Sequence, residues 1–154
     1  MVRSLLFLLT FTSFAAQAQL KVQLKSGTYH IEEGTFKQLS NTQPTYGVGL
    51  WDRAVLAEDK KALTDLGVEL GHYLPKNAFE VKIPAGVTIA QLRDAGLNAF
   101  VKWTPMMKLD GPLSIGDWPE WAVLNDGRVA VQFRTSAHWK APAFISQVVD
   151  LDAE

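Results

Sequence analysis

The fold is decided by residues 46–103, which read YGVGLWDRAVLAEDKKALTDLGVELGHYLPKNAFEVKIPAGVTIAQLRDAGLNAFVKW. Four stretches of this segment are apolar or alternate apolar with polar residues, as strands do. They begin at Tyr46, Val68, Phe79 and Ala99. Two stretches with helical spacing lie after the first and the third strand. The order β-α-β-β-α-β predicts an α+β fold of the ferredoxin-like type, with one antiparallel sheet and two helices on one face.

The first predicted helix has signals at both ends. Asp52 is a candidate N-cap, and Gly67 is a candidate for the position that follows the last turn. Leu56, Leu63 and Leu66 recur at helical spacing between them. We therefore expect Leu66 to be a core residue of this helix.

The second predicted helix begins with a capping box, in which Thr88 is followed three residues later by Gln91. Gly96 closes this helix, and Pro105 stops the strand that follows. Because both helices carry start and stop signals, we assign residues 44–112 to the predicted plait.

The N-terminus has the three parts of a secretory signal peptide. Arg3 precedes an apolar run that extends to Phe14, and the small-residue site Ala16-Gln17-Ala18 follows. The apolar run is shorter than the roughly 20 residues that span a bilayer. We predict that residues 1–18 are removed between Ala18 and Gln19, so that the protein is secreted or periplasmic, with no membrane anchor after removal.

The remaining residues form two flanking segments. Residues 19–43 are a lead segment and linker, in which Val22 and Leu24 alternate with polar residues and predict a brief strand. Residues 113–154 contain a predicted strand ending at Phe133 and a helix from Pro142. A lone strand and helix cannot bury their apolar faces. We therefore predict that residues 113–154 are the first part of a second, similar module that is incomplete in this chain.

Composition excludes several functions. The 154 residues carry a net charge of −1, so the chain lacks the excess of positive charge that nucleic-acid-binding proteins use to bind phosphates. The chain has no cysteine, which excludes disulfides, thiolate metal clusters and a cysteine nucleophile. The aromatic stretch 98–103 is only slightly like an RNA-binding strand, since the leading basic residue and glycine of that motif are missing. We predict no cofactor, no metal and no nucleic-acid partner.

No catalytic motif is present in the sequence. The three histidines are far apart and belong to no metalloprotease or hydrolase signature; they are His30, His72 and His138. Ser26, His30 and Glu32 could be drawn as a triad, but triads are recognised by geometry and not by spacing. Glu58 and Asp59 suit the first turn of a helix, where the dipole favours acids. We expect this chain not to be an enzyme.

Trp118 and Trp121 flank a proline in a predicted loop. Two interpretations are open for this pair: the rings stack on sugars, or they pack between the two modules. We favour packing, because aromatic residues dominate cores and interfaces.

A family resemblance rests on three segments: 25–29 (KSGTY), 70–79 (LGHYLPKNAF) and 81–84 (VKIP). Together they resemble the N-terminal pro-region of secreted bacterial subtilisin-like serine proteases, in which a phrase of the type G-x-Y-L-P-x-N-A-F/Y-x-V recurs between strands two and three of an inhibitor-type plait. The similarity covers roughly residues 25–109, and the second module resembles one that follows in longer members.

The resemblance implies a non-catalytic module that binds a subtilisin-like catalytic domain, in cis or in trans, as folding chaperone and temporary inhibitor. The catalytic serine, histidine and aspartate would lie beyond Glu154, so none is assigned to this chain. The open face of the sheet is the expected docking surface. Contacts are expected at the end of the last strand, at Trp103, Thr104, Pro105 and Met106. The alternative is an extracellular or periplasmic module that binds peptides or glycans.

Overall fold

The structure is a computed structural model that describes residues 19–131. The predicted signal peptide, Phe133, His138 and the predicted helix from Pro142 lie outside the described residues. The described part has mixed α+β structure, which confirms the predicted class. It contains a five-stranded sheet, a separate two-stranded sheet and short helices.

Strands and short helices follow one another along the described residues. The strands are β1 (Gln19–Leu24), β2 (Gly27–Glu32), β3 (Phe36–Lys37), β4 (Thr45–Leu50), β5 (Glu69–Leu74), β6 (Ala78–Ile83) and β7 (Ala99–Lys102). The helices are α1 (Ala57–Asp65), α2 (Ile89–Asp94), α3 (Pro105–Lys108) and α4 (Gly111–Ile115), and a 3-10 turn covers Glu120–Ala122.

The large sheet has the strand order β3-β7-β4-β6-β5. The pairs β7–β4, β4–β6 and β6–β5 are antiparallel, and this arrangement is compatible with a plait-like fold. The two-residue strand β3 adds a parallel edge next to β7, which the sequence pattern did not predict. Strands β1 and β2 form a hairpin with a sheet of their own.

The turn between β5 and β6 is very short. Lys76 and Asn77 both have positive φ values, of 71° and 55°, and they reverse the chain between Leu74 and Ala78, which pair with each other. Positive φ in the three-residue loop of residues 75–77 lets the chain reverse direction within so few residues. The β5–β6 ladder also shifts register between Leu70 and Tyr73, so His72 lies in an irregular part of the edge strand.

The main core lies between the sheet and the helices α1 and α2. Leu63 of α1 and Leu92 of α2 are completely buried, and they belong to one cluster with sheet residues that include Val81, Ile83 and Phe100. Gly47 makes room for the Phe100 ring, because a Cβ atom there would lie 2.5 Å from that ring. Two helices on one face of the sheet agree with the prediction.

The start of α1 differs from the prediction. Its N-cap is Leu56 and not Asp52, which lies exposed in the preceding loop. The backbone amide of Leu56 has no partner within the helix, and it donates a 2.8 Å hydrogen bond to the Asp59 carboxylate. Arg53 donates two further hydrogen bonds, of 2.7 and 2.8 Å, to the same carboxylate. A carboxylate three residues inside the helix therefore replaces the expected side-chain cap.

The other helix signals have mixed outcomes. The box of Thr88 and Gln91 caps α2 as predicted, and Gly67 has the positive φ expected after α1. Leu66 was expected in the core; it is the C-cap of α1, half-buried, and it packs against the edge of the main core cluster. Pro105 lies after the end of β7, as expected, but it also opens α3, since proline suits the first helical turn.

Candidate partner-binding face

The sheet face opposite α1 and α2 is formed by alternate residues of its strands. On β4 these residues are Tyr46, Val48 and Leu50, since side chains along a strand point alternately to the two faces. The register aligns them with partners on β6 and β7, so the face consists of three rows across the sheet. Each row has a different environment.

The hairpin β1–β2 covers one part of this face. Leu20 and Val22 of β1 are buried, and they form a second core cluster with Val48 and Leu50 of β4. Ala78, Ala99 and Met107 complete the buried members of the cluster. The expectation of an apolar face open for docking is therefore wrong over this area, because the lead segment of the same chain is packed on it.

The row that contains Tyr46 remains partly open. The backbone amide of Trp103 donates to the Tyr46 carbonyl at 3.3 Å, and Lys82 is the register partner of Tyr46 on the other side. Glu69 on β5 pairs with Lys82 in turn, at 2.6 Å between Lys82 Nζ and Glu69 Oε1. We call these four residues, Trp103, Tyr46, Lys82 and Glu69, the open row.

The open row combines aromatic and charged groups. Tyr46 is 37% exposed, and Lys82 Nζ lies 6.0 Å from the centre of the Tyr46 ring. The hydrogen bond to Glu69 raises the pKa of Lys82, so this ammonium group stays charged at neutral pH. An aromatic ring beside a fixed ion pair suits contacts with a protein surface of mixed polarity.

Of the four predicted contact residues, Trp103 belongs to the open row and the other three follow it in the chain. Trp103 is half-buried against the hairpin cluster, whereas Thr104 and Pro105 are exposed and Met106 is 55% exposed. Their neighbour Met107 points the other way and is buried under the hairpin. The sequence pattern did not distinguish the two methionines, because α3 is too short for its period to be recognised.

Glu80 lies on the covered side of the face, as the register partner of Val48. Its Oε2 atom is buried and has no hydrogen-bond partner among the described residues. A buried carboxylate oxygen without a partner destabilises the arrangement that buries it. This residue was not singled out from the sequence, since Glu in an alternating strand ordinarily faces solvent.

The sketched triad is not assembled in the structure. The Ser26 hydroxyl lies at the tip of the hairpin, where it donates to the Met107 carbonyl at 3.3 Å and accepts from the Tyr29 hydroxyl at 3.0 Å. His30 and Glu32 lie further along β2, beside a shallow cleft of about 190 Å³. Across residues 19–131, no group of three or more His, Asp or Glu side chains is arranged to hold a metal ion.

The tryptophan loop is exposed in the structure. Trp121 is 84% exposed and Trp118 is 42% exposed, so the expectation that both rings are buried is wrong. The nearby Asn125-Asp126-Gly127 segment forms a turn, and the strand predicted to end at Phe133 contributes, within the described part, a single bridge between Val123 and Val129.

None of the helices in the described part of the chain is long and apolar enough to cross a membrane.

Comparisons with known proteins give one match. No curated protein and no solved structure matches the chain. A protein-family model described as a domain of unknown function, DUF8729, matches residues 23–107, which is more than half of the chain, and the chain therefore belongs to that family.

Proposed function

We propose that this chain is a non-catalytic, pro-region-like module of a secreted subtilisin-like serine protease precursor. It acts by binding the catalytic domain, as folding chaperone and temporary inhibitor. The catalytic domain is encoded downstream of Glu154 or supplied in trans. In this proposal the four strands β7-β4-β6-β5 are a ferredoxin-like plait, which β3 and the β1–β2 hairpin extend.

The observation that carries the proposal is the β5–β6 turn. The phrase from Leu74 to Phe79, on which the family resemblance depends, occupies the tight turn at Lys76 and Asn77. That turn joins the second and third strands of the plait order, which is the place such a phrase has in subtilisin pro-regions. The antiparallel order of the four strands supports the same assignment.

The open row offers a surface for the interaction. Tyr46, Trp103 and Met106 lie at one end of the sheet face, where aromatic and methionine side chains remain partly exposed. Tyrosine, tryptophan and methionine are enriched where proteins bind each other. A catalytic domain of slow, non-local topology benefits from a partner that is already folded, which gives the chaperone role a physical basis.

The proposal is tested with the purified exported chain and the cognate catalytic domain. We expect no hydrolysis of casein or small esters by the chain alone. Added at micromolar concentration to the catalytic domain, it slows peptide hydrolysis or speeds refolding, and the effect survives moderate salt because apolar contacts are screened little. If neither inhibition nor assisted refolding is measured, the pro-region assignment is wrong.

The second candidate function is a peptide- or glycan-binding module. The exposure of Trp121 favours it, since a solvent-facing indole ring can stack on a sugar. Titration with peptidoglycan fragments, followed by tryptophan fluorescence, tests this function. Saturable quenching that is lost in Trp121→Ala supports it, and an unchanged spectrum at millimolar ligand contradicts it.

A further inference from the structure

We propose that the hairpin β1–β2 is a detachable cover of the sheet face, and that its release controls how a partner binds there. This inference rests on the proposed function for the identity of the partner. The detachment itself is a property of this chain and can be measured without one.

Within β1 and β2, the hairpin shares no backbone ladder with the large sheet. The segment that follows β2 is bound to the sheet by backbone hydrogen bonds, from the Gly34 amide to the Asn98 carbonyl at 2.9 Å and from the Phe100 amide to the Thr35 carbonyl at 2.8 Å, and would act as the hinge. Among the described residues its two strands pair only with each other, while the large sheet is ordered β3-β7-β4-β6-β5 without them. The hairpin buries just Leu20 and Val22 fully, and Leu24, Tyr29 and Ile31 only in part. Without a shared backbone ladder, the hairpin can leave while every hydrogen bond of the large sheet stays in place.

The contacts at the tip of the hairpin are weak ones. The Lys25 ammonium lies 3.6 Å from the Asp110 carboxylate, and both side chains are exposed, so water and salt compete with this ion pair. The Ser26 hydroxyl donates to the Met107 carbonyl at 3.3 Å, near the long limit for such a bond. Neither contact holds the tip firmly on α3 and α4.

The covered face also contains a group that favours release. Glu80 lies among the residues of that face, and its Oε2 atom is buried without a hydrogen-bond partner among the described residues. Because Glu80 lies beside Val48, which the hairpin covers, release of the hairpin would bring water closer to this carboxylate. The unsatisfied carboxylate oxygen raises the free energy of the covered state and not that of the released state. The difference in free energy between the two states is therefore smaller.

The surface uncovered by release of the hairpin would be contiguous with the open row. Val48, beneath the hairpin, is two residues along β4 from Tyr46 and on the same side of the sheet. Release would join the aromatic open row to an apolar surface of Val48, Leu50, Ala78 and Ala99. A partner that binds the open row thus gains contact area by displacing the hairpin.

Hydrogen exchange on the full exported chain tests the detachment. We expect the ladder amides of β1 and β2 to exchange at least about 10-fold faster than those of β4 and β6, because the hairpin opens by itself. Val22→Asp should raise the hairpin rates about 10-fold further and leave the β4 and β6 rates unchanged. Gln23→Asp places the same charge on the exposed side of β1 and is the matched control.

Two further variants keep the test decisive. Val22→Thr changes shape little and serves if Val22→Asp does not fold. Glu80→Gln replaces the carboxylate, whose Oε2 atom is buried, by a neutral amide that costs less to bury, so it should slow hairpin exchange and leave the rest unchanged. If the hairpin and the large sheet exchange at one rate in all variants, they form a single cooperative unit and the proposal is overturned.

A protease assay tests the control of binding. Val22→Asp should inhibit the catalytic domain at about 10-fold lower concentration than the wild-type chain, which corresponds to about 1.4 kcal/mol. If Val22→Asp inhibits less well than an inhibitory wild-type chain, the hairpin is itself a contact surface and the cover proposal is wrong. If no variant inhibits, the proposed function fails, whereas the exchange rates still decide on detachment.

Discussion

Asp59 is the buried carboxylate on which the start of α1 depends. Its side chain is 6% exposed, and it accepts hydrogen bonds from Arg53 and from the Leu56 amide. The hydrogen bonds from Arg53, followed by that from Leu56, lower the pKa of Asp59 below its ordinary value despite burial. We expect Asp59→Asn to lower the free energy of unfolding at pH 7 by about 1–3 kcal/mol, because charge-assisted bonds are lost.

The same pKa shift sets the pH dependence of stability. A carboxyl group whose pKa is lower in the folded than in the unfolded chain stabilises the fold above its unfolded pKa, about 3.9 for aspartate. That stabilisation disappears as the pH falls through the folded pKa. The difference in stability between wild type and Asp59→Asn should therefore shrink below about pH 4, as measured by urea unfolding.

Glu58 provides the matched control for this prediction. It is the neighbouring acid in the first turn of α1, and its side chain is exposed. Glu58→Gln should change the free energy of unfolding by less than about 0.5 kcal/mol at pH 7. Equal effects of the two substitutions would mean that Asp59 acts only as a charge near the helix dipole.

Leu63, rather than Leu66, is the leucine that α1 contributes fully to the core. Leu63 is completely buried, whereas Leu66 is half-buried at the C-cap. We expect Leu63→Ala to lower the free energy of unfolding by about 2–5 kcal/mol, since it leaves a cavity. Leu66→Ala should have a smaller effect in the same denaturant titration. The reverse order of the two effects would contradict the position of α1 on the sheet.

Among the elements, those with local signals could be predicted from the sequence. The hydroxyl of Thr88 and the amide of Gln91 are close in the chain, and their box correctly located the start of α2. The start of α1 could not be located in this way, because Leu56 has no capping group. Its cap depends on Arg53 holding Asp59, an arrangement of three residues that no standard pattern includes.

The close approach of β4 and β7 depends on Gly47. A Cβ atom at this position would overlap the Val101 carbonyl oxygen and the ring of Phe100, which is completely buried. We expect Gly47→Ala to destabilise the protein by about 1–3 kcal/mol, because a closely packed core resists added volume. The measurement is the midpoint of urea unfolding.

Gly49 is the control for this effect, since it is on the same strand and faces the same core. A Cβ atom there would lie 3.0 Å from Leu97 Cδ1, which is the end of a flexible side chain. Gly49→Ala should therefore destabilise the protein less than Gly47→Ala. If Gly49→Ala is the more damaging of the two, the register of β4 against β7 is wrong.

The candidate site could be predicted only in part. Trp103 and Met106 were singled out because they end the last strand, and Met106 is indeed exposed. The hairpin cover was not foreseen, because Leu20 and Val22 meet the sheet through contacts distant in sequence. The alternation at Val22 and Leu24 identifies a strand, but it contains no information about which surface that strand covers.

At the scale of the whole molecule, the predicted cleavage site of the signal peptide adjoins the first strand. The predicted cleavage between Ala18 and Gln19 would leave Gln19, the first residue of β1, as the new N-terminus. We expect mass spectrometry of the exported protein to show a chain that starts at Gln19, with or without cyclisation of that glutamine. Retention of Met1 to Ala18 in the exported protein would contradict the predicted signal peptide.

The last prediction distinguishes two candidate surfaces for binding the catalytic domain. Trp103 and Met106 lie at the open end of the sheet face, whereas Trp121 lies in the exposed loop beyond α4. If the module binds a catalytic domain through the open row and the exposed side of α3, where Met106 lies, Met106→Asp should weaken inhibition about 10-fold or more, since a charge would enter an apolar contact. Trp121→Ala should leave inhibition unchanged.

Met106→Asp is preferred to a change of Trp103, because Met106 is 55% exposed and its substitution should leave the fold intact. Lys108→Asp, an exposed change in the same short helix, controls for added negative charge. Inhibition that is lost in Trp121→Ala but kept in Met106→Asp would move the binding surface to the tryptophan loop. The exposed side of α3 would then be ruled out as the contact surface, and the catalytic domain would bind through the tryptophan loop instead.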